Sequence, residues 1–291
     1  IGGSGLYSIP GLSQVEERAI PTPFGTPSDQ LRLGELEGVE TVFLARHGRH
    51  HQLLPSEVPY RANIWAMRSL GVRWLISLSA VGSLQGHLHP RDMVVPDQFI
   101  DRTRQRPASF FGNGCVAHVS LAEPFCPQLS SLLADAAEQG LPEGRQLHRG
   151  GTYLCMEGPA FSTQAESKLY RSWGCSVIGM TNHTEARLAR EAELAYASLS
   201  MVTDFDCWHE DHDAVSVEMV ISNLQANASA TEPILSGLMQ QLKQKPPAST
   251  AHSALANALI TPKDQVPAET RSKLDLFTAT YWGSFNQASA S

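Results

Sequence analysis

The sequence predicts an α/β fold with a central, mixed and largely parallel sheet flanked by helices. Its 291 residues are 42% hydrophobic, which is enough to bury a sizeable core. Short runs rich in β-branched residues alternate along the chain with stretches whose apolar residues recur at helical spacing. Such alternation is typical of strands joined by crossover helices, and this connection places neighbouring strands parallel.

Each predicted element follows from a local pattern. The strands are predicted at residues 41–45, 73–79, 93–100, 152–156, 176–180 and 196–203. The helices are predicted at residues 61–70, 129–137, 163–174, 185–194 and 216–241. The first helix carries Ile64, Met67 and Leu70 at helical spacing. The third begins with a capping box, in which Thr163 precedes Glu166 by three residues.

The chain is predicted to form one domain with an appended helical piece. Residues 1–242 contain the alternating pattern, and the run KQKPPAST at 243–250 interrupts it. Two amphipathic stretches follow at 251–259 and 269–281, so residues 243–291 are expected to be a linker and a C-terminal helical extension. The long loop at 102–117 is a candidate functional segment because loops of this length are uncommon in compact domains.

Composition and charge exclude several classes of function. The net charge is −7, and the Lys and Arg residues are scattered, which argues against nucleic acid or an anionic membrane as a partner. No apolar run approaches the roughly 18–20 residues of a membrane helix. Five cysteines without a C-x-x-C pair indicate a reducing, cytoplasmic location. The acidic run His209-Glu210-Asp211-His212-Asp213 fits no metal-ligand spacing, so no metal is predicted.

Several strand ends carry groups that suit an anion. The glycine-rich turn at residues 2–6 includes Ser4, and its N–H groups could converge on a phosphate. Arg46 and His47 follow the predicted strand 41–45, at the edge where α/β sheets bind ligands. The same reasoning applies to small residues at the end of strand 73–79 and to a threonine before a helix: Ser79, Ala80 and Thr181. Taken singly, these are also compatible with a plain turn, a solvated basic loop and an ordinary helix cap.

Other strand ends carry groups that suit a purine. Phe161 follows strand 152–156 and could stack on a base, although it could equally be a core residue. Asp204 and Asp206 follow strand 196–203, and alternation along an extended chain would place them on one face, roughly 6–7 Å apart. Two acids in one pocket repel each other, so one of them can retain a proton near neutral pH.

In this order the motifs resemble the methylthioadenosine phosphorylases of the trimeric purine nucleoside phosphorylase family. The matching segments are GGSGL at 2–6, TPFGTPSD at 22–29, ARHGRHH at 45–51, YRANIWA at 60–66, SAVGSL at 79–84, DQFIDRT at 97–103, AEPFCP at 122–127, EGPAFST at 157–163, GMTNHTEARLAREAELAYAS at 179–198 and TDFDCWHEDHDAVSV at 203–217. The resemblance is nearly continuous from residue 1 to about residue 230.

The resemblance implies an activity and a set of site residues. Phosphate would be bound by Ser4, Arg46, His47, Ser79 or Ala80, and Thr181. The nucleoside would contact Phe161, Met180, Asp204, Asp206, His118, Val217 and Val220, with His118 donated by a neighbouring subunit of a homotrimer. Asp204, Asp206, Arg46 and His47 would carry the catalysis. The implied reaction converts 5′-methylthioadenosine and phosphate into adenine and 5-methylthioribose 1-phosphate, in purine and methionine salvage, without a cofactor.

Three other functions remain open from the sequence. The first is a phosphorylase for 6-oxo nucleosides, namely inosine, guanosine or methylthioinosine. The aspartate pair argues against it because carboxylates accept from an exocyclic amine and repel a carbonyl oxygen. The second is a non-catalytic nucleoside-binding protein, and the third is a metal-dependent hydrolase built on residues 209–213.

Overall fold

The computed structural model describes residues 1–209 and 217–285, with the backbone alone at 217–221. The strands are β1 (Ser13–Arg18), β2 (Leu31–Leu36), β3 (Val39–Phe43), β4 (Trp74–Ser83), β5 (Met93–Val95), β6 (Gln98–Asp101), β7 (Leu147–Arg149), β8 (Thr152–Cys155), β9 (Val177–Gly179) and β10 (Ala195–Asp204). The helices are α1 (Tyr60–Ser69), α2 (Pro127–Gly140), α3 (Gln164–Ser172), α4 (Asn182–Glu191), α5 (Val217–Gln244) and α6 (Ala268–Trp282).

The central sheet has seven strands in the order β6-β8-β9-β4-β10-β5-β7. Four neighbouring pairs are parallel, whereas β4–β9 and β10–β5 are antiparallel. The predicted mixed, largely parallel α/β fold is therefore confirmed. The two long strands β4 and β10 lie side by side in the middle, and every residue of β10 is buried. Their carboxyl ends provide a rigid base for a site.

Helices cover both faces of this sheet. On one face, Leu133 of α2 and Ile234 of α5 belong to the same apolar cluster as Leu199 of β10. On the other face, α1 and α4 pack with α6, whose Phe277 is buried in their shared core. Alternation along β10 explains the two clusters, because successive side chains of a strand point to opposite faces. None of the described helices has both the length and the apolar character needed to cross a membrane.

The structure corrects several predicted elements. The predicted strand 41–45 belongs to a separate three-stranded antiparallel sheet, β1-β2-β3, and the first two of these strands were not predicted. β1 escaped prediction because its sequence lacks the apolar alternation that marks a half-buried strand, and all six of its residues are exposed. The predicted strand 93–100 is two strands, β5 and β6, separated at Pro96, which has no N–H for a ladder.

Other predictions of local structure have mixed outcomes. The predicted capping box at α3 is present: the Thr163 side chain accepts from the Glu166 N–H, and the Glu166 side chain accepts from the Thr163 N–H. Helix α4 begins at Asn182, three residues before the predicted start at residue 185. The amphipathic stretch 251–259 is not a helix beyond the short 3-10 turn Thr250–Ser253. The short strand β7 was also not predicted.

Candidate active site

A cavity of about 310 Å³ opens at the ends of β4, β9 and β10. It brings together most of the residues that the sequence analysis singled out: Ser4, Arg46, His47, Ser79, Ala80, Phe161, Met180, Thr181, Asp204 and Asp206. These residues come from separate strand ends, turns and the start of α4, and the fold gathers them at one place. This position agrees with the general location of ligand sites in α/β sheets.

The glycine-rich turn is inserted between two strands. Gly2 bridges both Ala45, just beyond β3, and Leu78 of β4. The Gly3 N–H donates to the Leu78 carbonyl over 2.9 Å. A Cβ atom at Gly3 would lie 2.6 Å from Nη1 of Arg46 and 2.8 Å from the Leu78 carbonyl oxygen, so any larger residue would displace this contact. The turn therefore holds Gly3 against the guanidinium of Arg46, and the next residue, Ser4, lines the same cavity as Arg46.

Arg46 is a buried cation whose counter-ion the sequence analysis missed. Its side chain is 1% exposed and forms a two-point ion pair with Glu185, through Nε to Oε1 and through Nη2 to Oε2, the latter at 3.1 Å. Burial of Glu185 opposes its ionisation, but Arg46 outweighs this effect and lowers the glutamate pKa. The sequence does contain a feature that could have indicated this partner. A buried arginine needs a carboxylate, and Glu185 lies in the first turn of the buried helix α4.

His47 faces the same cavity as a neutral ring. Its Nδ1 lies 2.8 Å from the Leu53 carbonyl oxygen, which can only accept, so Nδ1 carries the proton. Burial, together with the nearby charge of Arg46, lowers the pKa of His47 to about 4. The ring also stacks on His51 with centroids 4.5 Å apart. The remaining nitrogen, Nε2, is the polar atom that His47 can offer to a ligand.

Thr181 and Ser79 complete the polar end of the cavity. Thr181 is the residue before α4, but its side chain makes no capping bond, so the ordinary helix-cap interpretation is wrong. Its hydroxyl lies 3.5 Å from Oδ1 of Asn182, at the limit for a hydrogen bond. Ser79 lies within β4 and is almost completely buried. Two hydroxyl groups and the start of a helix thus lie at the same cavity as Arg46. Together they form a suitable set of hydrogen-bond donors for an anion.

The two aspartates both line the cavity, but strand alternation does not bring them there. β10 ends at Asp204, and Asp206 lies in a turn with φ of 52°. Oδ1 of Asp204 accepts from the Asp206 N–H at 2.8 Å, and Oδ2 accepts from the Thr203 hydroxyl at 2.7 Å. Oδ2 of Asp206 is buried and makes no close hydrogen bond to the described residues, although the Ser162 and Ser167 hydroxyls are near enough to oppose the rise in its pKa. Asp206 therefore holds an acceptor that a ligand can satisfy.

Burial raises the pKa of both carboxyl groups. For Asp204, hydrogen bonds from Thr203 and Asp206 act in the opposite direction, while the Asp206 charge adds to the increase. The net pKa of Asp204 is raised, and that of Asp206 is raised mainly by burial. A Cβ at Gly82 would lie 2.9 Å from Oδ1 of Asp204, so a glycine is needed for this close approach of β4. A raised pKa favours the protonated carboxyl group, so one member of this pair could act as a proton donor.

The aromatic and sulfur side chains lie at the same cavity. Phe161 is 52% exposed, so it is not an ordinary core residue, and it lines the cavity at the segment after β8. Met180 lies against that segment, since a Cβ at Gly158 would be 2.5 Å from its sulfur. The buried guanidinium of Arg106 donates to the carbonyl oxygens of both Met180 and Glu157, the latter at 2.7 Å. Arg106 thus holds together the two segments that form this wall.

His118 does not line the cavity of its own chain. The preceding loop, residues 102–117, packs in part against its own chain. Phe110 and Cys115 of the loop are buried in the core, and Ala117 forms a bridge with Leu259. The His118 N–H donates to the Ala258 carbonyl, and the His118 side chain is exposed on the surface. The C-terminal segment therefore supports the loop.

The remaining predicted residues lie partly outside the described residues. Val217 and Val220 belong to the first turn of α5, but their side chains are not described. Leu224, one turn further along, lines the cavity. Of the acidic run 209–213, only His209 is described. Within residues 1–209 and 217–285, no group of three His, Cys, Asp or Glu residues could hold a metal ion.

The sequence pattern of the phosphorylase superfamily matches residues 1–240. The chain belongs to this superfamily. Among superfamily proteins similar to it are the S-methyl-5′-thioadenosine phosphorylases of Prochlorococcus marinus and Thermosynechococcus vestitus. The first is 64% identical, covering 99% of this chain and 91% of the relative, and the second is 60% identical, covering 97% of each.

Solved structures of the same kind share this fold. A methylthioadenosine phosphorylase from an antarctic soil metagenomic library is 51% identical, with a TM-score of 0.91 over 95% of this chain and 96% of the other. Methylthioadenosine phosphorylase from Schistosoma mansoni, solved in complex with adenine, is 37% identical, with a TM-score of 0.80 over 84% of this chain and 91% of the other.

Proposed function

We propose that this superfamily member cleaves 5′-methylthioadenosine with inorganic phosphate, giving adenine and 5-methylthioribose 1-phosphate. The observation that carries the proposal is one cavity that contains both a set of anion donors around Arg46 and a pair of buried aspartates. The names of its relatives and the adenine bound to the Schistosoma enzyme support the choice of nucleoside. The reaction would serve purine and methionine salvage in the cytoplasm.

The anion donors account for the phosphate half of the reaction. Ser4, Thr181, Ser79 or the backbone of Ala80, and Nη1 of Arg46 would hold phosphate oxygens, with Nε2 of His47 bonding a protonated oxygen. Departure of the base leaves positive charge on the ribose, and a phosphate held against C1′ both balances that charge and attacks the carbon. The bond from C1′ to nitrogen breaks as the bond to the phosphate oxygen forms, so the protein needs no nucleophilic side chain.

The aspartates account for the base half of the reaction. Electron density moves onto the purine as it leaves, and protonation of N7 makes it a better leaving group. Asp204, with its raised pKa, would donate this proton, and Oδ2 of Asp206 would accept from the 6-amino group. Phe161 would stack on the purine ring, with Met180 below the ribose.

A 6-oxo phosphorylase is the nearest competing function. A 6-oxo purine would present a carbonyl oxygen to the unpartnered carboxylate oxygen of Asp206, and two acceptors repel each other. The geometry therefore favours a 6-amino substrate. A non-catalytic binding protein would have no need of a buried proton donor beside a set of phosphate donors. Neither a metal nor an organic cofactor takes part in the proposed mechanism, in which phosphate is a co-substrate.

The 5′ end of the nucleoside would be bound by apolar residues and by a second subunit. A thioether carries no charge and accepts hydrogen bonds weakly, so it requires an apolar pocket such as Leu224 provides. Val217 and Val220 would extend this surface at the start of α5. The exposed His118 would reach the site of a neighbouring chain in a homotrimer with active sites at its interfaces.

The test is to mix the protein with methylthioadenosine and to measure free adenine with and without phosphate, and with and without a chelator. We expect release that requires phosphate and is insensitive to the chelator. Full release in phosphate-free buffer would indicate a hydrolase instead. Inhibition by the chelator would indicate a metal-dependent enzyme, and faster cleavage of methylthioinosine would favour the 6-oxo alternative.

A further inference from the structure

Glu185 is a buried acid that no step of the proposed reaction uses. Its side chain is 2% exposed and does not line the cavity. Oε1 accepts from Nε of Arg46, while Oε2 accepts from Nη2 at 3.1 Å and from the Tyr196 hydroxyl at 2.9 Å. Both carboxylate oxygens are therefore occupied within the protein, and Glu185 cannot reach a ligand directly.

This pairing determines which edge of the Arg46 guanidinium faces the ligand. Nε and Nη2 point to Glu185, and Nη2 also donates to the Ser77 hydroxyl at 2.6 Å. Among the described residues, Nη1 has only a long bond of 3.3 Å to the Leu78 carbonyl. Nη1 is also the atom that lies against the backbone of Gly3, in the turn that carries Ser4. Nη1 is thus the edge available for a bound oxyanion.

A network of buried polar groups supports the pair from behind. Ser77 donates to Oδ1 of Asn182 at 3.2 Å, and Asn182 donates to Ser198 at 2.5 Å. These residues lie on β4, α4 and β10, which are the three elements that surround the polar end of the cavity. The guanidinium itself is held by Glu185 of α4 and by Ser77 and Leu78 of β4, which restricts its rotation, and such preorganisation strengthens directed hydrogen bonds.

We infer that Glu185 is a positioning residue for phosphate: it neutralises Arg46 and turns the Nη1 edge of the guanidinium toward the oxyanion. The inference rests on the proposed function, which places phosphate at this end of the cavity. It follows that the phosphate is held by directed hydrogen bonds rather than by an uncompensated charge. The ion pair should therefore affect phosphate and leave the nucleoside end of the cavity unchanged.

The test is the variant Glu185→Gln. The glutamine amide would present N–H donors to the donor Nη2, so the two-point pairing cannot be kept and the guanidinium must rotate. Loss of one bond to a charged group predicts a fall in kcat/KM for phosphate of about 10- to 100-fold. The KM for methylthioadenosine at saturating phosphate should change by less than about twofold, because the lost contact lies outside the base pocket.

Two further variants separate positioning from general stability. Glu191 lies on the same helix and is equally buried, and its carboxylate accepts from the Phe110 N–H at 2.7 Å, away from the cavity. Glu191→Gln should lower the Tm while leaving the phosphate KM unchanged. Tyr196→Phe removes only one hydroxyl from Glu185 and should raise the phosphate KM by about 2- to 10-fold. This milder variant decides the question if Glu185→Gln does not fold.

Calorimetry with inorganic phosphate alone distinguishes this inference from the proposed function. If the wild-type protein binds phosphate but releases no adenine, weaker phosphate binding in the Glu185 or Tyr196 variant still supports positioning. If the folded Glu185→Gln variant, or Tyr196→Phe in its place, has the wild-type phosphate affinity and KM, the inference is wrong. It is equally wrong if Glu191→Gln shows the same loss for phosphate. A wild-type protein that binds no phosphate overturns both proposals.

Discussion

Substitution of Asp206 by asparagine tests how the protein distinguishes 6-amino from 6-oxo purines. Oδ2 of this carboxylate is buried and makes no close hydrogen bond to the described residues, so the substrate amine is the donor expected to satisfy it. A hydrogen bond to a charged group contributes about 1.5–3 kcal/mol, and 1.4 kcal/mol corresponds to about tenfold in rate. An amide oxygen keeps a weaker bond of about 0.5–1.5 kcal/mol, so this replacement should lower kcat/KM for methylthioadenosine about tenfold, which corresponds to the difference between the two bonds.

The same substitution should help the competing substrate. The asparagine amide can also donate to a 6-oxo group, which removes the repulsion between two acceptors and adds a bond. We expect kcat/KM for methylthioinosine to rise about tenfold, so the preference for the 6-amino substrate should fall about 100-fold.

The assay compares the two nucleosides at saturating phosphate. The control is Asp97→Asn, which removes the same charge from an exposed residue whose Oδ1 accepts from the Gly151 N–H at 3.1 Å, away from the cavity. This control should leave the preference unchanged. A preference in Asp206→Asn equal to that of the wild-type protein would refute the assignment of Asp206 to the base.

Three further predictions concern phosphate, assembly and acid stability. Arg46→Ala should raise the phosphate KM and lower kcat, so that kcat/KM for phosphate falls at least about 100-fold. The variant loses the phosphate contact of Arg46 and also leaves Glu185 buried without its counter-ion. An unchanged phosphate saturation curve would contradict this prediction. Mixed oligomers of His118→Ala and Arg46→Ala should regain part of the activity if subunits share sites, and no recovery after confirmed exchange would place both residues in one subunit's site. Folding lowers the pKa of His47 from about 6.5 to about 4, so on acidification His47 takes up a proton in the unfolded chain before it does so in the folded protein. The free energy of unfolding should therefore fall as the pH drops from about 6.5 to 4. Denaturant titrations should show a smaller fall in His47→Gln, and an identical fall would contradict the buried neutral ring.

Much of the fold could be predicted from local sequence patterns. The central strand β10 and the helix α5 have long apolar patterns and were placed within a few residues of their observed ends. The exposed strand β1 and the three-residue strand β7 were missed because neither has a buried face long enough to create a pattern. Their structure depends on pairing with distant strands, which a local pattern does not record.

The site was predictable where its residues lie at strand ends. The rule that ligands bind beyond the carboxyl ends of strands made Arg46, Thr181 and Asp204 candidates, and the structure places all three at one cavity. Glu185 was missed because its partner lies 139 residues away in the sequence, and only the folded chain brings them together. The conformation of Asp206 was also missed, since a positive φ after a strand leaves no mark in the sequence of a non-glycine residue.

The central claim is that the glycosidic bond is cleaved by phosphate. Phosphorus NMR of a mixture of the protein, methylthioadenosine and inorganic phosphate tests it most directly. We predict that the inorganic phosphate signal is replaced by that of a pentose 1-phosphate ester, in amounts equal to the adenine released. Release of adenine while inorganic phosphate stays constant would show that water attacks the ribose, and would contradict the assignment of the cavity around Arg46 to a phosphate co-substrate.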